Sequence, residues 1–209
     1  MINKPAGLAV QGGRGIGRSL DSILSETRPQ RPLLVHRLDR DSSGIVLTAK
    51  NKIAAAGFSR LLVAAAGKGF IRRYLAVCKG RPAQDEGTIK ADLNVHGTVK
   101  KSKTHYKLLP GFPGGEFSLL ELELGTGRMH QIRRHLALAG NPILGDDKYG
   151  DFALNRSLRK TMKLKHLLLH ASRLIIPKTP DGACLDLSAP LPDYFQEFLN
   201  RGTGNGEIA

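Results

Sequence analysis

The chain has 209 residues, 41% of them hydrophobic, with 32 Lys and Arg against 18 Asp and Glu for a formal net charge of +14. That length holds one well-buried domain, that apolar content excludes simple disorder, and a folded basic protein has a polyanion as its default partner. Cys78 and Cys184 lie far apart and neither sits in a CxxC, which excludes a disulfide framework or a cysteine zinc site, and no run reaches the length of a membrane span. The expectation is a cytoplasmic protein with no membrane or metal partner.

Ile2 to Gly7 is a short element stopped by Pro5-Ala6-Gly7, followed by the glycine-rich Gly12-Gly13-Arg14-Gly15-Ile16-Gly17. A dinucleotide fingerprint beginning at Gly13 fails, because its last position is Arg18 and no strand leads into it. A loop whose Arg14 and Arg18 touch phosphate is the more economical reading. Ser19 to Arg28 has the spacing of a short helix, with Leu20, Ile23 and Leu24 inward and Pro29 closing it.

Residues 33 to 50, LLVHRLDRDSSGIVLTAK, carry the densest chemistry. Leu33 to Leu38 and Ile45 to Ala49 read as strands around the turn Asp41-Ser42-Ser43-Gly44, which places Asp39 at the end of a buried strand. Arg37 and Arg40 flank it and favour its charged form. Taken alone, Asp39 and Asp41 are also what an ordinary hairpin turn contains.

Asn51 can cap a helix from about Lys52 to Ala66, with Ile53, Phe58, Leu61 and Leu62 inward and Gly67 as its stop. Phe70 to Cys78 alternates as a strand that puts Phe70, Arg72, Tyr74 and Ala76 on one face. Strands follow at Thr88 to Leu93, Val99 to Leu109 and Glu116 to Leu124. Lys100, Lys101, Lys103 and Lys107 form either a solvated face or a phosphate contact.

In GTGRMHQIRRH, Thr126 or Gly127 can open a helix that runs to Ala139, with Met129, Ile132, Leu136 and Ala139 as its apolar stripe. Arg133 falls on the flank of the buried side, where a guanidinium requires a carboxylate or other acceptors. His130 and His135 do not share a helix face, which argues against a zinc pair. Leu154 to Lys165 is a basic surface segment, His166 to Ala171 a strand, Leu174 to Pro177 and Ala183 to Leu187 a hairpin, and Pro192 to Asn200 a terminal helix before a disordered tail.

His36-Arg37-Leu38-Asp39, followed by Ser42-Ser43-Gly44, resembles the signature of the RluA branch of the RNA pseudouridine synthases. NKPAG at residues 3 to 7, RRYLAV at 72 to 77, GRMHQIRRH at 127 to 135 and NPILGDDKYG at 141 to 150 are similar to further segments of that family, in the same order. Members of that family usually carry a strand before the first motif, and often an S4 domain, and the expectation here is a catalytic domain that begins at the first motif.

The resemblance implies an α/β (α+β) fold with a central, mostly antiparallel β-sheet and flanking helices. It also implies a single catalytic domain over residues 1–200 with a flexible tail at 201–209, and an isomerase that converts specific uridines to pseudouridine without metal or cofactor. Asp39 takes the catalytic position, Tyr74 and Arg133 line the active site, and Asp39 with Arg133 is expected to form a buried pair. Lys4, Arg37, Arg40, Arg72, Arg128, His130 and Gln131 are the expected RNA contacts.

VQGGRG after NKPAG resembles the RluC-like members acting on large-subunit ribosomal RNA, so rRNA is the expected partner of a monomeric enzyme. A tRNA-directed synthase and a non-catalytic rRNA-binding or assembly protein are the alternatives. A retaining glycosidase would need two carboxylates about 5 Å apart, and only turn residue Asp41 is near Asp39.

Overall fold

The computed structural model describes residues 1–13, 15–27, 30–64, 70–95 and 97–202, the side chains of residues 63 and 64 excepted. The elements in chain order begin with β1 (Ile2–Lys4), α1 (Leu20–Thr27), β2 (Leu33–Leu34), β3 (Ser43–Val46), β4 (Thr48–Ala49) and α2 (Lys52–Ala64). Next come β5 (Ile71–Lys79), β6 (Glu86–Lys90), β7 (Leu93–Val95), β8 (Thr98–Lys100), β9 (Lys103–Leu109), β10 (Phe117–Leu124) and α3 (Gln131–Leu138). The chain ends with α4 (Phe152–Thr161), β11 (Leu169–Ile176), β12 (Leu185–Ser188) and α5 (Asp193–Gly202). The fold is mixed α/β, and every strand pairing with a described register is antiparallel.

Two compact units emerge, one from Met1–Arg72 with Ala171–Pro190, the other from Arg73–His170 with the chain from Leu191 on. In the first unit β3 lies between β1 and β11, and β12 pairs with β11. Val35, Ile45, Leu47, Phe70, Leu174 and Ile176 form its core, with Phe58, Leu61 and Leu62 of α2 packed against it. Each such side chain contributes about 1.5–3 kcal/mol on leaving water. Gly44 has φ 111° and no room for a Cβ, which would run into the backbone of Ala171. Only glycine fits at this second position of β3.

In the second unit β10 lies between β5 and β9, and β6 extends the sheet beyond β9. The alternating FSLLELEL of β10 turns Phe117 and Leu119 into a core with Val77, Leu144, Leu168, Phe195 and Phe198. Asp151 caps α4 by accepting from the Leu154 N–H at 2.9 Å.

Several expected elements come out differently. Strand pairing over Leu33 to Leu38 stops at Leu34, because Val35 gives its N–H to Leu47 O and the His36 ring then takes the Leu47 N–H. Asp39 therefore sits in irregular chain, partly buried, rather than at the tip of a strand. Asn51 does cap α2, accepting from Ala54 N–H at 2.8 Å, but Ile53 in its first turn is 84% exposed. The expected stop at Gly67, the phosphate contact at Arg14 and most of the expected C-terminal tail fall outside the described residues.

The helix expected from Thr126 starts only at Gln131. His130 has φ 52°, a left-handed residue that breaks the helical run, so Met129 is exposed rather than part of the apolar stripe. Ala139 is exposed as well.

Candidate active site

The first unit holds Asp39 on the loop from Val35 to Ser42. Lys4, the last residue of β1, is fully buried, and its ammonium donates to Pro5 O at 2.8 Å, Leu8 O at 2.8 Å and Arg40 O at 3.0 Å. An ammonium has three N–H donors, and all of them are used here. Lys4 was expected to contact RNA; buried and saturated, it instead braces the loop beside Asp39. Burial pushes its pKa down to about 8, against the pull of Asp41 and Asp39. The Gly7 N–H adds a second bond to Arg40 O at 2.9 Å.

His36 pins the other side of the loop. Its Nε2 accepts from the Leu47 N–H at 3.0 Å, and burial lowers its pKa to about 4, so the ring is neutral with its proton on Nδ1. Arg37 and Arg40 point outward, and Arg40 touches Asp41 at 3.4 Å. Arg72 is half-buried, and its Nε is a buried donor without a hydrogen-bond partner.

Tyr74 and Arg133 belong to the second unit. Tyr74 lies on β5 opposite Leu122 of β10 and is 8% exposed. Arg133, on α3, is 2% exposed, and its position demanded a carboxylate. Asp146 supplies one through a two-point contact, with Nε to Oδ2 and Nη2 to Oδ1 each at 2.8 Å, and Asp147 Oδ1 adds a third at 3.2 Å. Asp39, the partner expected from the sequence, lies in the other unit.

Asp146 is itself buried and takes the N–H groups of Lys148 and Tyr149 at 2.9 Å each. Burial raises its pKa, but the Arg133 hydrogen bonds and those N–H groups outweigh it and hold the carboxyl below the usual range. Asn155 locks the turn, donating to Asp146 O at 3.0 Å and accepting from the Gly145 N–H at 2.9 Å. The Tyr149 ring lies 5.4 Å from the Arg133 guanidinium carbon, and its hydroxyl meets His130 Nδ1 at 3.1 Å. Neither Asp146 nor Tyr149 stood out as a site residue in the sequence, although the buried arginine signalled that a carboxylate had to be close.

Gln131 is also reassigned. It is 3% exposed; its Oε1 accepts from Thr126 Oγ1 at 2.7 Å and Arg128 N at 3.0 Å, and its Nε2 donates to Lys103 O at 2.8 Å and Thr104 Oγ1 at 3.0 Å. With both ends spent, it holds the start of α3 on β9 and has nothing left for RNA. Arg128 is exposed and His130 partly so. His135 is buried against Ser102 Oγ and Thr104 Oγ1, remote in role from His130. Among the described residues, no group of three or more His, Cys, Asp or Glu could hold a metal ion, and no helix is long and apolar enough to cross a membrane.

Residues 1–138 match the family model described as RNA pseudouridylate synthase. Ribosomal large subunit pseudouridine synthase C of Rickettsia bellii is 39% identical over 208 residues, covering 93% of this chain and 66% of its own length. The protein of the same description from Rickettsia prowazekii is 39% identical, with 93% and 65% covered, so this chain spans just under two thirds of both relatives. Among solved structures, human RNA pseudouridylate synthase domain containing 4 superposes with a TM-score of 0.77 at 25% identity, over 95% of this chain and 87% of that one. The family match spans the lysine that braces the Asp39 loop and the helix that carries Arg133, and the chain belongs to the RNA pseudouridylate synthase family.

Proposed function

We propose that this chain is an RNA pseudouridine synthase, acting on uridines of large-subunit ribosomal RNA as a cytoplasmic monomer without metal or cofactor. The observation that carries this reading is Asp39 in its His-Arg-Leu-Asp setting, on a loop braced by the buried ammonium of Lys4. The names of the Rickettsia relatives support the choice of RNA.

The reaction is an isomerisation. The bond from N1 to C1′ breaks, the base turns, C5 joins C1′, the C5 proton leaves and N1 gains one. A base inside a helix is out of reach, so the uridine must first leave its stack. Asp39 acts as nucleophile, or as the carboxylate that stabilises an electron-poor ribose, and Arg133 keeps that carboxylate ionised and oriented. Tyr74 stacks on the turned base and assists removal of its proton. Arg37 fills the space left by the uridine, and the orphan N–H of Arg72 suits a phosphate or carbonyl acceptor. Arg40, Arg128 and His130 contact the flanking strand.

Release of the C5 hydrogen from labelled uridine in RNA tests the activity, since a non-catalytic RNA-binding protein liberates none. Mapping pseudouridines in rRNA and tRNA from a strain lacking the protein tests the substrate. Loss confined to tRNA would replace the rRNA assignment.

A further inference from the structure

The basic segment after Tyr149 has a geometry that the reaction does not use. α4 buries Asn155 and Leu158 on one side. Phe152, Arg156, Arg159 and Lys160, at i, i+4, i+7 and i+8, share one stripe beside it and are all exposed, Phe152 at 57%. Lys163 and Lys165 follow, also exposed. No Asp or Glu occurs between Phe152 and Lys165. Asp151, directly before the helix, is engaged elsewhere: it caps α4 and pairs with Lys79 at 2.8 Å.

We propose that this outward face of α4 is a single-stranded RNA contact, with a base stacked on Phe152 and successive phosphates on Arg156, Arg159 and Lys160. An exposed aromatic ring alone is an exposed apolar group, and basic residues in a last helical turn also suit the helix dipole. Together on one stripe they match the combination that binds single strands, a stacking platform beside a cationic track. The helix leaves directly from the Asp146 to Tyr149 turn that holds Arg133, so strand flanking a target uridine would be led along it. The inference rests on the reading that this chain acts on RNA.

The test compares the full chain with a triple variant, Arg156→Gln, Arg159→Gln and Lys160→Gln, and with Phe152→Ala, using a single-stranded RNA that contains the target uridine. The triple variant should bind roughly tenfold more weakly at low salt, and its salt slope should fall by about two, near 0.7 for each phosphate no longer neutralised. Phe152→Ala should cost roughly tenfold with an unchanged slope. Both should raise KM for the RNA and leave kcat at saturation and thermal midpoint unaltered. Wild-type affinity and slope in the triple variant would overturn the proposal, as would a loss seen only with vesicles of anionic phospholipid. If the wild-type protein released no C5 hydrogen while the RNA affinity losses still appeared, the activity would be refuted and the α4 surface would stand.

Discussion

The ammonium of Lys4 lies 3.0 Å from the carbonyl oxygen of Arg40, the residue directly after Asp39. A side chain from the first strand thereby fixes the backbone that presents the proposed catalytic carboxylate. Lys4→Met keeps the length and removes all three donors, leaving carbonyls in poorly solvated surroundings. Unsatisfied acceptors cost about 1–3 kcal/mol each where buried, so a loss of about 2 kcal/mol or more in denaturant unfolding is expected, with kcat falling as the loop loosens. Unchanged stability and kcat would show that the brace is dispensable.

Lys4 also sets a pH dependence. Its pKa is about 8 in the folded chain against an ordinary 10.5, so between those values the unfolded chain binds more protons and stability rises with pH. Below about pH 8 the buried charge opposes folding in full. Subtracting the unfolding profile of Lys4→Met from that of the wild type should isolate a contribution that climbs from pH 8 to 10.5. A flat difference across that window would contradict it.

Arg133 and Asp146 are 2% and 1% exposed, so removing either charge breaks a buried two-point contact. Asp146→Asn should cost about 3–5 kcal/mol, and Arg133→Lys should also be severe, because a point charge cannot reproduce the two-pronged contact. The Asp146 carboxyl is held below its ordinary value of 3.8, so its contribution is complete above that pH and disappears as pH falls through the folded value. Acid unfolding of wild type and Asp146→Asn should converge at low pH, and curves that stayed parallel would disprove the pairing's role.

Asp39→Asn should abolish C5 hydrogen release and leave RNA affinity within about twofold, since the amide keeps the shape without the charge. Near wild-type turnover by Asp39→Asn would remove it from the mechanism.

Tyr74→Phe keeps the ring and loses the hydroxyl, whereas Tyr74→Leu loses both. Stacking predicts that leucine falls at least roughly tenfold below phenylalanine in kcat/KM for the RNA. Equal activities would leave Tyr74 as a packing residue.

What could be read from the sequence was what short-range pattern encodes. Gly44 declared its turn, Asn51 its cap, and the alternation of β10 its strand, because each depends on neighbours a few positions away. The burial of Arg133 was also legible from helical spacing. The end of β2 was not, since it depends on a His36 ring bonding to Leu47. Nor was the saturation of Lys4 and Gln131, whose partners lie up to 36 and 28 positions away. A polar residue in a motif looks the same whether it faces ligand or braces the loop that does.

Gln131 and Arg133 stand two positions apart on α3, one tied to β9 and the other to Asp146. A helix advances about 100° per residue, so one residue inserted between them would swing the guanidinium off its carboxylate while the glutamine stayed anchored. The same insertion at Gly140, past the last turn of α3, would leave both attachments in register. Length variation should therefore be tolerated after α3 and lethal to the site within it, a frame requirement on the spacing of two residues rather than on their identities.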